Sequence, residues 1–299
     1  MGGGGDIVGA LATAELCRQY DASDPVLGGI AWERRPIDPI PGPRSVEEIE
    51  HAKELAPGIL LACGATWVRE RHIRFAESRM AEFLGEETVL ITLENGPGAI
   101  ASGLAHAVGR LDCDLIVLID VGGDVLAQGD EAGLRSPLGD AIMLATAMRL
   151  GRAGQPVLGG VFGLGCDGEL TAAEVLTGLS ELAAFGGLSG ARGLTDAVAQ
   201  RLERAVELVP TEASAHAVQA FRSSAQVASI RGGARSFERT ALASVTFYFD
   251  VAVAYERLGR LAQAVDGASS VDEANEALHA LGLRTELDLE REALNAAAT

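Results

Sequence analysis

Four short stretches of this sequence set glycine beside an acid: GGGGD (2–6), LENGPG (93–98), LIDVGGD (118–124) and VFGLGCDGE (161–169). Glycine lets backbone N–H groups come close to a ligand, and a helix start favours an anion. Carboxylates ligate hard cations or move protons. The pattern predicts a ligand edge made of Gly3, Gly4, Gly5 and Asp6, of Glu94, Asn95 and Gly96, of Asp120, Gly122, Gly123 and Asp124, and of Gly165, Cys166, Asp167 and Glu169. Any one such loop is as readily a tight turn. Four of them on one edge favour a site.

The acids allow three readings. Asp6 and Glu169 suit helix N-termini as caps. Asp120, Asp124, Asp140 and Asp167 could instead hold Mg²⁺ through oxygen. Or they bind an ammonium or hydroxyl of a polar substrate and act as acid or base. Asp120 and Asp124 lie one turn apart after a strand, so they are expected to face one pocket as the strongest catalytic pair. Cys166 sits where a helix start would stabilise a thiolate, although packing is the commoner role of such a cysteine. Arg231, in the loop IRGGARS with Arg235, could grip a carboxylate; a solvated loop is an equal reading.

The elements that must carry these loops alternate. Strands are expected at 26–32, 58–64, 88–94, 115–120 and 156–164. Helices are expected at 7–20, 46–56 (from a Ser45/Glu48 capping box), within 69–85 up to Gly85, and at 98–110, 138–150 and 171–185. This predicts an α/β fold: a doubly wound, Rossmann-like, mainly parallel sheet with helices on both faces and its ligand at the C-terminal strand ends. The segment ERRPIDPIPGPRS (33–45) reads as a stiff loop. After Gly187 the texture turns helical, broken by the β-rich ASVTFYFD, and NAAAT reads as a disordered end. One domain is expected over 1–299, with 1–187 as sheet core and 188–299 as a mostly helical completion.

Composition narrows the chemistry. A net charge of −18 opposes nucleic acid. No apolar run reaches the roughly 18–20 residues of a membrane span, and no basic leader precedes an apolar stretch, so a cytoplasmic setting is expected. The four cysteines and five histidines lack zinc spacing. Lys53 is the only lysine, so a Walker lysine is absent and a PLP-type Schiff base would have to use Lys53. Gly163–Gly168 matches GxGxxG, but no strand-end acid follows about 20 residues on, and Asp167 and Glu169 would face the pyrophosphate; classical NAD is not expected. Mg²⁺ stays open as a cofactor. The expected partner is a small molecule, with self-association left open.

GGGGDIVGALATAE, WERRPIDPIPGPRS, IDVGGDVLAQGDEAGLRSPLGDA, GLGCDGELT and TFYFD together resemble an uncharacterised bacterial and archaeal family, domain of unknown function 1152, over nearly the whole chain. Members usually carry a strand ahead of the glycine cluster, so that strand is expected upstream or is dispensable. ITLENGPGAIASG followed by LIDVGGDVLAQG is similar in order and spacing to the D-glutamate cyclase family, which forms a lactam with loss of water. That resemblance implies Glu94, Gly122, Gly123 and Asp124 at the site, with Glu94 and Asp124 as acid–base groups, although Asp124 stands where that family has Asn. The leading expectation is lyase- or cyclase-like chemistry on a polar, carboxylate-bearing metabolite. The alternatives are a Mg²⁺-dependent nucleotide- or phosphate-binding enzyme and a non-catalytic sensor.

Overall fold

A computed structural model describes residues 1–20, 23–223, 226–230, 233 and 235–297. In chain order come α1 (Asp6–Tyr20), β1 (Gly28–Ile30), β2 (Ile49–Ala56), β3 (Ile59–Val68), β4 (Ile73–Arg74), α2 (Ala76–Leu84), β5 (Thr88–Ile91) and α3 (Gly96–Arg110). Next are β6 (Ile116–Val121), α4 (Pro137–Arg152), β7 (Val157–Phe162), α5 (Ala172–Ala184), β8 (Leu188–Gly193), α6 (Asp196–Leu208) and α7 (Glu212–Arg222). The chain ends with β9 (Gln226–Ile230), β10 (Arg235–Arg239), β11 (Val245–Asp250), α8 (Val251–Leu258), α9 (Arg260–Val265), α10 (Val271–His279) and α11 (Glu286–Ala297).

The fold is α/β, with open sheets and a largely helical C-terminal part. Its strands form two sheets, β1-β5-β3-β2 with β4 beside β3, and β6-β7-β11-β8, plus the β9–β10 hairpin. Among the described residues, parallel pairing is confined to β1/β5 and β6/β7. The remaining pairs are antiparallel for a local reason. A tight turn with Gly58 at φ 74° folds β3 back on β2 without a crossover helix, and β11 returns between β7 and β8.

Residues 46–56 correct the sequence reading. Ser45 and Glu48 do bond, with the Ser45 N–H donating to Glu48 at 2.8 Å, but only the short 3₁₀ turn Val46–Glu48 follows before β2. Pairing with β3 outweighs the local helix signal. Within 69–85 the helix is shorter than expected, because Ile73–Arg74 pair with β3. It ends at Gly85 in the left-handed conformation, as anticipated. At the C-terminus, Asn295–Ala297 are helical rather than disordered.

The glycine segment joins the two sheets. The Gly4 N–H donates to the Trp32 carbonyl just beyond β1 (3.1 Å), and the Met1 amine donates to the Ile119 carbonyl in β6. α1 then packs Ile7, Val8 and Leu11 into a core with Ile119, Val121 and Phe162. The largest core draws Ile30, Ile59 and Ile91 from the first sheet and Val161 and Phe249 from the second.

Candidate functional site

A cavity of about 1090 Å³ opens where β1, β6 and β7 end, against α1, α4, α7 and α11. The loops after β6 and β7 are zipped together. The Gly122 N–H donates to the Phe162 carbonyl (2.9 Å), and the Gly165 N–H donates to Gly122 (2.7 Å). This brings Asp120, Asp124 and Asp167 to one wall, with Asp6 and Asp140 beside them.

Steric need explains much of the glycine run. Gly3 and Gly4 adopt φ of 88° and 64°, where a side chain would strain the backbone. A Cβ on Gly2 would collide with the Asp140 carboxylate, and one on Gly5 with Thr211. The run lets the chain thread between Asp140, Trp32 and Thr211.

Carboxylate oxygens of Asp6, Asp120 and Asp140 lie within 4.8 Å of one another, as do those of Asp124, Asp167 and Glu169. Asp120 is 1% exposed, and its Oδ2 accepts the N–H groups of Gly123 (2.8 Å) and Val125 (3.4 Å). Burial, then the Asp6 charge, pushes its carboxyl up to about 7 despite those bonds and the Met1 ammonium. Burial holds Asp140 and Asp124 well above the ordinary carboxylate range. For Asp140 the next cause is Asp120; for Asp124 it is Asp140, followed by Asp120. The Met1 ammonium donates to Asp6 at 3.1 Å, whereas Oδ1 of Asp140 is buried with no hydrogen-bond partner among the described residues.

Other expected residues have different surroundings. Glu169 is a cap, but for α4 rather than its own helix: it accepts the N–H groups of Arg135 (2.6 Å) and Ser136 (2.8 Å) and the Ser136 hydroxyl (2.6 Å). Cys166 lies in the α1 core, and burial pushes its thiol up to about 12, so it carries no reactive thiolate. Gly122 and Gly123 take φ of 135° and 117° and pack on Asp167 and Val175, while Gly165 takes 75° in the β7 turn. Glu94, Asn95 and Gly96 do not line the cavity. Glu94 accepts the Val46 N–H at 2.9 Å, Asn95 precedes α3, and Gly96 packs on the Ala268 carbonyl. Glu94 and Asp124 are therefore not brought together. Arg231 lies outside the described residues.

The cavity also contains residues that sequence reasoning passed over: Glu33, Arg34, Arg35, Arg135, His216, Glu286 and Glu290. Arg34 stacks on Trp32 (4.0 Å to the ring centre) and donates to the Gly2 carbonyl (2.6 Å) and to Glu286 (3.2 Å). Glu286 accepts the N–H groups of Leu138 (3.0 Å) and Gly139 (2.9 Å). WERRP held a signal, an arginine pair in a stiff loop. Glu286, in an ordinary amphipathic helix, held none.

Fold and site together define an α/β protein with a carboxylate-floored cavity at its strand ends. Residues 1–294 match a family model described as protein of unknown function (DUF1152), and the chain belongs to that family. No curated protein and no solved structure matches it. No helix among the described residues is long and apolar enough to cross a membrane.

Proposed function

We infer that the protein is an enzyme acting on a polar small molecule, with a divalent cation such as Mg²⁺ held on the cavity floor by Asp140, Asp120 and Asp6. One observation carries the reading. Three carboxylates converge within 4.8 Å, and Oδ1 of Asp140, on a residue 3% exposed, has no hydrogen-bond partner among the described residues. Buried like charges repel strongly, and a hard cation with oxygen ligands removes that repulsion. The cation would polarise an oxyanion of the substrate. Asp124, 6% exposed and lining the same cavity, would hold or release a proton. With Glu94 elsewhere, the cation-dependent reading is favoured over cyclase-type chemistry that needs a Glu94–Asp124 pair.

The test is calorimetric titration with Mn²⁺ and Mg²⁺ at pH 7.5. Wild type should bind with release of protons, and Asp140→Asn should lose at least tenfold in affinity while keeping its circular dichroism. No binding at millimolar metal, or equal binding by Asp140→Asn, would sink the reading.

A further inference from the structure

Two exposed arginines, beside the exposed Glu212, line a cavity whose floor is acidic. Arg35 and Arg135 both line it from different segments, the proline-rich strap after β1 and the approach to α4. The chain carries 42 acids against 24 basic residues, and many of its arginines pair with carboxylates. These two do not. Arg35 makes no hydrogen bond or ion pair with a described residue, and the Arg135 side chain donates only to the carbonyls of Ala132 (3.1 Å) and Leu134 (2.6 Å). Both side chains are exposed at the mouth.

Their surroundings fix what they could meet. A helix N-terminus is the usual seat for an anion, but α4 is closed to one. The N–H groups of Arg135 and Ser136 are taken by Glu169 and those of Leu138 and Gly139 by Glu286, while Pro137 has none. Any anion at this wall must be held by side chains. Guanidinium is the group that grips a planar carboxylate or a phosphate through two N–H bonds. The strap holding Arg35 is braced from behind: Asp38 pairs with Arg44 (3.2 Å), both buried, and Arg44 donates to the carbonyls of Ile40 and Gly42 (each 2.7 Å).

We propose that the mouth is an oxyanion site in which Arg35 and Arg135 hold a phosphate or carboxylate group of the substrate, whose reacting part reaches the acidic floor. This rests on the proposed function for what happens at the floor, but the mouth can be tested separately. The substrate class is then a small molecule with an anionic end group. The floor repels bare anions, so the two arginines select molecules whose charge stays at the entrance or is met by a cation below.

The experiment titrates wild type, Arg35→Gln, Arg135→Gln and the double variant with inorganic phosphate and with malonate, each with and without Mn²⁺. A charge-assisted hydrogen bond contributes enough that each single variant should weaken the anion by about tenfold. The double variant should show no binding, with an unchanged Mn²⁺ isotherm and melting temperature. Arginine-dependent binding of phosphate alone assigns a phosphorylated substrate; of malonate alone, a carboxylate. Arg35→Gln, which removes no intramolecular bond, guards against a folding effect. Anion affinity unaltered in the double variant, or no anion binding by wild type with and without Mn²⁺, overturns the proposal. Loss of Mn²⁺ binding alone counts against the floor and leaves the mouth standing on its own titration.

Discussion

Glu33 and Glu77 show what burial does to a single carboxyl outside the cation cluster. Glu33 is 5% exposed and accepts the Ala76 N–H, which starts α2 in place of a capping Phe75 side chain. Burial raises it to about 7, against the Ala76 bond and the charges of Arg79 and Arg34. Glu77 is raised well above 4.5, by burial first and then by Glu33. Between 4.5 and about 7 the folded chain keeps a proton on Glu33 that the unfolded chain has released. The unfolded state therefore binds fewer protons in this window, and stability falls as pH rises through it. Glu33→Gln keeps an acceptor for Ala76 and cannot ionise. Its unfolding free energy from urea titration should match wild type near pH 4 and exceed it at pH 8, by up to about 3 kcal/mol at 1.36 kcal/mol per pH unit. A gain that does not grow with pH would show that Glu33 titrates normally.

At the scale of elements, α4 depends on distant parts of the chain. Ser136 precedes it without a side-chain cap, and Pro137 supplies no donor. Glu169 from the β7 turn and Glu286 from α11 take the N–H groups of its first turn instead, and Glu290 of α11 accepts from Trp32 (3.1 Å) and Gly42 (2.8 Å). The C-terminal helix is thus a wall of the cavity as well as its tie to the first sheet. Glu286→Ala leaves two buried donors without partners and should cost about 2–4 kcal/mol in chemical unfolding. Glu286→Gln, keeping one acceptor, should cost less. A loss under about 0.5 kcal/mol for Ala would mean that α4 does not depend on this cap.

For the molecule as a whole, the two sheets share one core. Ile30, Ile59 and Ile91 stand in the same apolar cluster as Val161 and Phe249. A shared core couples the halves, since exposing one face strips contacts from the other. Both tryptophans, Trp32 and Trp67, report on the first sheet, while far-ultraviolet circular dichroism follows helices along the whole chain. The two signals should give coincident urea transitions. Separate midpoints would show that the sheets unfold independently.

Periodicity and punctuation were enough to read the helices α3, α4 and α5 and the strands β5, β6 and β7, because apolar spacing and glycine stops act over a few neighbouring residues. The association of Asp6, Asp120, Asp124, Asp140 and Asp167 with strand ends and helix starts was legible for the same reason. Long-range pairing was not. Ser45–Glu48 promises a helix, and only β3, ten residues on, turns 49–56 into a strand. The Glu94 loop carries the same glycine–acid pattern as the others, yet its carboxylate turns to Val46. The pattern records local turn geometry and not the direction a sheet edge faces. Glu286 joins the cavity from a stretch with no motif, and Arg35 and Arg135 join it from segments whose pattern does not show which way they face, since what selects all three is the space left between packed elements. Local chemistry was set by the order of residues; which acids share a floor, and which arginines stand above it, was decided by how two sheets close around one glycine segment.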